Sequence, residues 1–295
     1  MRSWPMSAPA NCAVSDGLTW RTLYAEATQR LGSDVDARRI VERASGHDGA
    51  EFHTGLDEHV SVRALAFFDG MVERRAAGEP LQYVLGVWAF RTLDLYVDGR
   101  VLIPRPETEV VVEVGLDELR RIRPRHPVVV DLGTGSGAIA LSFAAEAPGT
   151  EVWATDRSEE ALAVARANLA GLGRAAAAVR LCEGWWYEAL PAILRARVSL
   201  IVSNPPYVAD SDDLPAEVAD WEPESALLAG PTGMEQIAEV VKEAPVWLDR
   251  PGALVVELAP HQGDDAVALA YDAGFTEAFV KPDLTGRVRA LVARV

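Results

Sequence analysis

Val128-Val129-Val130-Asp131-Leu132-Gly133-Thr134-Gly135-Ser136-Gly137, running into Ala138-Ile139-Ala140-Leu141, decides how the chain folds. The β-branched run predicts a strand, the glycines a tight turn, and the alanine-containing continuation a helix. Glycine suits such a turn because a Cβ would forbid positive φ or keep a ligand away from the backbone. Outward from this unit, short apolar runs alternate with helical stretches, the pattern of a parallel sheet covered by helices. Strands are expected at residues 128–130, 151–154, 179–181, 200–202 and 253–257, with two more near 275–280 and 288–292. Helices are expected at 138–147, 159–170 and 234–247. The fold class is therefore α/β, a doubly wound, Rossmann-like sheet.

Upstream, Leu23, Ala27 and Leu31, then Ile40, Val41 and Ala44, then Leu65, Phe68 and Val72 recur at helical spacing. They predict a small helical domain over residues 17–86, behind a Pro-, Ser- and Ala-rich leader at 1–16 that reads as mobile. Residues 46–55 interrupt the pattern, and Gly78-Glu79-Pro80 ends the last helix. Residues 88–97 mix aromatic and β-branched positions, Asp98-Gly99 is a turn signal, and residues 101–103 resume an apolar run. A β-hairpin linker is expected over 87–105, and the sheet domain over 106–295.

With 295 residues, 49% of them hydrophobic, the chain can bury two cores of unequal size. Lys and Arg total 28 against 44 Asp and Glu, and the net charge of −16 repels phosphate backbones, which disfavours a nucleic-acid substrate. Cys12 and Cys182 lie far apart, which suggests neither a disulfide framework nor a zinc site. His47, His53, His59, His126 and His261 have no metal-ligand spacing, so no metal is expected. No run is long enough to span a membrane, and the opening residues carry Pro5 and Pro9 rather than an apolar signal. A cytoplasmic protein that binds no membrane is the expectation.

The strand after the glycine turn ends at Asp156, about twenty residues on, where a carboxylate can accept from both ribose hydroxyls of a nucleoside. The alternative is a glycine-rich turn without a ligand. Asp131 separates a dinucleotide from S-adenosylmethionine. A carboxylate there repels a pyrophosphate and suits the cationic methionine end of S-adenosylmethionine, directly or through water. Gly133, Thr134, Gly135, Ser136 and Gly137 complete the candidate cofactor loop. The order Asp-Leu-Gly-Thr-Gly-Ser-Gly resembles the first motif of class I methyltransferases, the doubly wound family that uses this cofactor.

A later strand, Leu200-Ile201-Val202, empties into Ser203-Asn204-Pro205-Pro206-Tyr207, at the sheet edge where open α/β folds bind ligands. Two prolines fix φ and supply no N–H, so their carbonyls and the Asn204 side chain form a stiff set of acceptors. An NH2 group is the natural guest. Donating to the Asn204 carboxamide oxygen and the Pro205 carbonyl, it would turn its nitrogen toward the cofactor methyl, with Tyr207 as a wall. Asn204, Pro205 and Tyr207 are the candidate catalytic residues, Pro206 a further substrate contact, and Asn204 also borders the cofactor. A merely stiff turn is the plain alternative. The tetrapeptide also resembles the motif of methyltransferases acting on the exocyclic amino group of adenine, and both guests are planar nitrogen donors.

Two further blocks, Gly78-Glu79-Pro80-Leu81-Gln82-Tyr83-Val84-Leu85-Gly86 and Val101-Leu102-Ile103-Pro104-Arg105-Pro106-Glu107-Thr108-Glu109, resemble the HemK/PrmC group, the release-factor glutamine methyltransferases. Trp221-Glu222-Pro223, Ala226-Leu227, Gly233-Met234 and Asp283-Leu284-Thr285-Gly286-Arg287-Val288 extend the resemblance over nearly everything from about Asp36 onward. The resemblance implies a helical domain that helps grip a peptide-chain release factor, a hairpin linker, and a catalytic domain that methylates the glutamine of a Gly-Gly-Gln loop. Arg105 and Glu107 are candidates for holding that loop or the methionine end of the cofactor; as a pair they would equally make a surface ion pair. Trp185 stands where the family has an acidic residue and Trp186 where it has the aromatic over the adenine, with Glu183 placed to compensate. Ala259 replaces a common glycine and Trp221 a common phenylalanine. Other readings are methylation of adenine in DNA or RNA, a paralogue acting on another protein's glutamine, and a binding module without catalysis.

Overall fold

The computed structural model describes residues 14–295, so most of the expected leader lies outside the described residues. The chain divides into two compact units at the Leu85–Gly86 bond.

The first unit holds β1 (Val14–Thr19), α1 (Trp20–Leu31), α2 (Asp34–Ser45), α3 (Phe52–Gly55), β2 (His59–Ser61), α4 (Val62–Ala76) and α5 (Leu81–Leu85). Thr19, Ser33 and Ser61 cap α1, α2 and α4, each hydroxyl accepting an otherwise unpaired first-turn N–H. Leu23, Ala27, Ile40, Val41, Phe68 and Val72 are buried in one core, with Leu31, Ala44 and Leu65 packed against it. The interruption at 46–55 carries the short α3, whose Phe52 enters the same core.

The second unit opens with the hairpin β3 (Val87–Phe90) and β4 (Leu93–Tyr96). It reverses at Arg91-Thr92, not at Asp98-Gly99, and residues 101–103 form no strand. The cause is Arg91, held at φ 51°. Its guanidinium grips Glu146 at 2.7 and 2.6 Å and Glu113 at 2.7 Å, and its N–H donates to Glu109 Oε1 at 2.9 Å. Asp98-Gly99 is left to bend the chain inward, burying Val101 and Ile103.

Then come α6 (Pro106–Ile122), β5 (Val128–Leu132), α7 (Ala138–Glu146), β6 (Glu151–Asp156), α8 (Glu159–Gly171), β7 (Val179–Glu183), β8 (Val198–Ser203), β9 (Val208–Ala209), α9 (Ala216–Ala219), β10 (Leu228–Gly230), α10 (Glu235–Trp247), β11 (Leu248–Glu257), α11 (Gly263–Asp272), β12 (Glu277–Pro282) and β13 (Val288–Arg294). Seven strands form one sheet in the order β12-β13-β11-β8-β5-β6-β7, in which β13 alone runs against its neighbours. Val130, Leu132, Ile201, Leu254 and Val256 pack on α10 and α11. The other face meets α6 closely enough that a Cβ on Gly115 would lie 2.7 Å from Phe143 Cζ and 3.3 Å from Leu200 Cδ2. The almost fully buried Glu118 of α6 is neutralised by Arg294 of β13 at 2.6 Å and by Arg121 at 2.8 Å.

Candidate active site

Sheet order reverses between β5 and β8, one leading outward to β6 and β7, the other to β11 and beyond. A crevice opens at the carboxyl ends of strands at such a point. Leu132 stands opposite Ser203, and the Ser203 hydroxyl donates to the Leu132 carbonyl at 2.7 Å. The glycine turn after one strand and Asn204 after the other therefore leave the sheet side by side.

Beside the glycine turn lies a cavity of about 230 Å³. Gly133, Thr134, Gly135 and Ser136 line one side, Asp156, Trp185 and Trp186 another, and Arg100, Leu102, Pro104, Asn204 and Pro206 the rest. Gly133 and Gly135 have φ of 74° and 55°, open to glycine without strain. A Cβ on Gly133 would sit 3.1 Å from Trp186 Cζ3, so glycine leaves the indole a flat neighbour. Asp156 accepts from Gly135 N at 2.8 Å through one oxygen and from Ser158 N at 2.9 Å through the other. Each oxygen keeps a further lone pair able to accept, and the residue lines the cavity.

Two of the expected ligand residues do not line this cavity. Gly137 closes the turn at φ 88°, where a Cβ would press on Leu141 Cδ1 at 3.1 Å, so its smallness serves packing. Asp131 is wholly buried beneath the loop, its Oδ2 accepting from Thr134 Oγ1 at 2.6 Å and Ala140 N at 3.1 Å. Direct contact with a ligand is closed to it, and its visible role is to tie the glycine turn to the start of α7. Burial pushes its carboxyl up to about 7, and Oδ1 has no partner. Glu183 is exposed and off the cavity, so it does not replace the acidic residue that Trp185 displaces. Trp185 instead donates to Glu239 at 2.6 Å and carries the Arg157 guanidinium 4.8 Å over its ring.

A second cavity, of about 190 Å³, shares Leu102, Asn204 and Ala226 with the first. Arg105, Pro205 and Tyr207 line it together with Val208, Leu214, Pro215, Val218 and Leu227. Asn204-Pro205-Pro206-Tyr207 thus forms the partition, Pro206 facing one cavity, Pro205 and Tyr207 the other, and Asn204 both. The Asn204 Nδ2 donates to Thr108 Oγ1 at 3.2 Å. Tyr207 donates to Glu257 Oε1 at 3.3 Å, and its carbonyl accepts from Gln262 Nε2 at 2.9 Å. Burial pushes Glu257 up to about 7, while burial and the neighbouring Glu257 push the Tyr207 phenol up. Tyr207 is therefore a neutral wall and donor near neutrality.

Arg105 and Glu107 do not pair. Arg105 turns to the buried Glu222 at 2.5 Å, whose other oxygen accepts the Ile103 N–H at 3.1 Å, and Glu107 lines neither cavity. Pro104-Arg105-Pro106 is thereby fixed with Pro104 on the wall of the first cavity and Arg105 on that of the second. Glu222, Thr108, Glu257 and Gln262 are site residues to which sequence reasoning gives no role. The first two stand inside the motif blocks, which was their only signal.

Residues 115–220 match the family model described as the methyltransferase small domain, and residues 22–86 that described as the PrmC N-terminal domain. A release factor glutamine methyltransferase of Xylella fastidiosa is 41% identical over 92% of this chain and 96% of its own length. Those of Bifidobacterium longum and Deinococcus radiodurans are each 40% identical, over 88% and 93% of this chain and 91% and 98% of their own. Among solved structures, the catalytic domain of hMettl16, in complex with a 3'UTR hairpin, superposes with a TM-score of 0.51 at 13% identity over 81% of this chain and 84% of that one, a likeness of fold. No helix among the described residues is long and apolar enough to cross a membrane. With sequence identity sustained through both the helical unit and the sheet unit, the chain belongs to the release factor glutamine methyltransferase family.

Proposed function

We propose that this enzyme transfers the methyl group of S-adenosylmethionine to the side-chain amide nitrogen of the glutamine in the Gly-Gly-Gln loop of peptide-chain release factors. The observation that carries the reading is the position of Asn204 on the wall common to two cavities, its amide nitrogen donating one hydrogen bond to Thr108. The larger cavity is the proposed cofactor site and the smaller the proposed glutamine site.

The residues of the larger cavity suit the cofactor. Trp186 on its wall offers an aromatic face to the base, and Asp156 offers acceptors to ribose hydroxyls. Trp186, on that wall, has a buried Nε1 without a hydrogen-bond partner. The bound cofactor supplies an activated methyl on a sulfonium. Everything else falls to the chain. An amide nitrogen is a weak nucleophile because its lone pair is delocalised into its carbonyl. Asn204 Oδ1 and the Pro205 carbonyl accept its two N–H groups, hold the nitrogen in line, and stabilise the positive charge that grows on it. The proton it sheds is held at Asn204 Oδ1 until water removes it.

The smaller cavity, with its apolar lining, suits the methylene stem of one glutamine, and glycine neighbours let that side chain reach it. Arg105 on its rim is the proposed contact for the loop backbone. We assign residues 17–86 to gripping the release factor, 87–105 to linking, 106–295 to catalysis, and the enzyme to the cytoplasm. The net charge of −16 weighs against adenine in a nucleic acid as the substrate. Incubation with S-adenosylmethionine and a release factor, followed by peptide mapping, should find one methyl on that glutamine. Methylated DNA or RNA adenine with the release factor untouched would replace this reading.

A further inference from the structure

We infer that Asn168 is a positioning residue for the cofactor, clamping the exit of the β3–β4 hairpin to the glycine turn so that two stretches of the larger cavity's wall keep a fixed spacing. The inference rests on the reading of that cavity as the cofactor site. Ser136 lines it and is 3% exposed, standing between Gly135 and Gly137, whose backbone turns more freely than that of any other residue type. The peptide joining Ser136 to Gly137 is nevertheless held at both ends. Its N–H, from Gly137, donates to the Thr134 carbonyl at 2.8 Å, and its C=O, from Ser136, accepts from Asn168 Nδ2 at 2.8 Å.

Asn168 reaches the turn from α8, and the same carboxamide holds the hairpin. Its Oδ1 accepts from Tyr96 N at 2.7 Å and its Nδ2 donates to the Tyr96 carbonyl at 3.0 Å. Tyr96 is the last residue of β4. A carboxamide carries the donor and acceptor of a peptide group, so Asn168 pairs with Tyr96 as a residue of a neighbouring strand would. Turned over, it would set oxygen against oxygen and N–H against N–H, which fixes its orientation. The second Nδ2 hydrogen goes to Ser136, so both are in use. Two residues beyond Tyr96, Asp98 holds the chain in a compact turn: its side chain accepts from the Tyr96 hydroxyl at 2.6 Å and from Arg100 Nη2 at 2.6 Å, and its carbonyl from Val101 N at 3.1 Å. Gly99, Arg100, Val101 and Leu102 leave that turn on the cavity wall that Ser136 also lines. One side chain thus sets the hairpin stretch of the wall, 72 positions away in sequence, against the glycine-turn stretch, 32 positions away. Asn168 itself lines neither cavity, so it acts on the cofactor through the wall and leaves the proposed glutamine site untouched.

The test uses the full chain, with S-adenosylhomocysteine for calorimetry and a release factor with S-adenosylmethionine for kinetics. Asn168→Asp keeps the shape and the acceptor for the Tyr96 N–H, but turns the donor into an oxygen facing the Tyr96 and Ser136 carbonyls. Asn168→Leu removes all three bonds without that repulsion. The S-adenosylhomocysteine dissociation constant should rise about 10-fold in Asn168→Leu, the equivalent of one hydrogen bond, and further in Asn168→Asp. KM for S-adenosylmethionine should rise in step, while kcat at saturating cofactor and KM for the release factor stay at wild type. Wild-type affinity in Asn168→Asp overturns the inference, as does a loss of kcat parallel to the loss of affinity, which would make Asn168 a residue of the fold alone. The unmutated chain serves as the control. If it does not bind S-adenosylhomocysteine, the cofactor reading of the cavity fails first; if it binds and Asn168→Asp binds equally well, only the clamp is lost.

Discussion

Glu222 and Arg105 are joined by an ion pair at 2.5 Å whose carboxylate side chain is 1% exposed while its guanidinium remains on the cavity wall. The same carboxylate takes the Ile103 N–H. Glu222→Ala strands a cation and a buried N–H together. We expect a loss of about 2–4 kcal/mol in urea unfolding and a higher KM for the release factor. A variant that unfolds at the wild-type midpoint would mean that the two prolines hold the wall unaided.

Asn204→Ala removes the side-chain acceptor from the partition while leaving the glycine turn and Asp156 intact. Turnover should fall by about three orders of magnitude, and calorimetric cofactor affinity should stay near wild type. Equal damage to both would reduce Asn204 to a structural residue.

Asp156→Ala should show the opposite split. Removing a charged acceptor costs about 1.5–3 kcal/mol of binding, so the cofactor dissociation constant should rise roughly 10- to 100-fold. Part of that loss will come through Gly135 and Ser158, whose N–H groups the carboxylate also holds. An unchanged dissociation constant would exclude Asp156 from the ribose.

Two wholly buried carboxyls, Asp131 and Glu257, are raised by burial to about 7. Between about pH 4 and 7 the folded chain then holds protons that the unfolded chain has lost, so raising pH across this window withdraws stability. The penalty is absent below the window and complete above it. Asp98 and Asp283, lowered to about 2 by hydrogen bonds led by those from Arg100 and Thr285, are ionised in both states above about pH 5.5 and contribute little slope there. Urea unfolding should therefore report lower stability at pH 7.5 than at pH 5.5, by on the order of 1–3 kcal/mol per group. Glu257→Gln should remove a substantial part of the difference. A wild-type midpoint that does not move with pH would contradict the burial of these two groups.

What the sequence made legible is what is local. The valines of β5, the glycines after it and the helix beyond are encoded within a dozen residues, and the strand ends that carry Asp156 and Asn204 follow from the same alternation. The hairpin turn is not local. Arg91 adopts a positive φ that its own residue type disfavours, and it is held there by carboxylates on α6 and α7. α6 itself, opened by Pro106 at its first position, begins within the block at 101–109 and is not among the helices expected from the sequence. Thr108 and Glu222 are equally hidden, since the bonds that define them reach Asn204 and Arg105 across 96 and 117 positions. For Asp131 the sign of the charge was readable and its direction was not, because a burial that leaves one oxygen without a partner has no local signature.

β12 bonds to the sheet through β13 alone, and β13, made after it, stands between β12 and β11. During synthesis β12 thus lacks its native neighbour until its successor has emerged and inserted. The crevice strands β5 and β8 are already available by then. Assembly of this unit is ordered from the centre outward on one flank, and the flank with the sole reversed strand is the last to close.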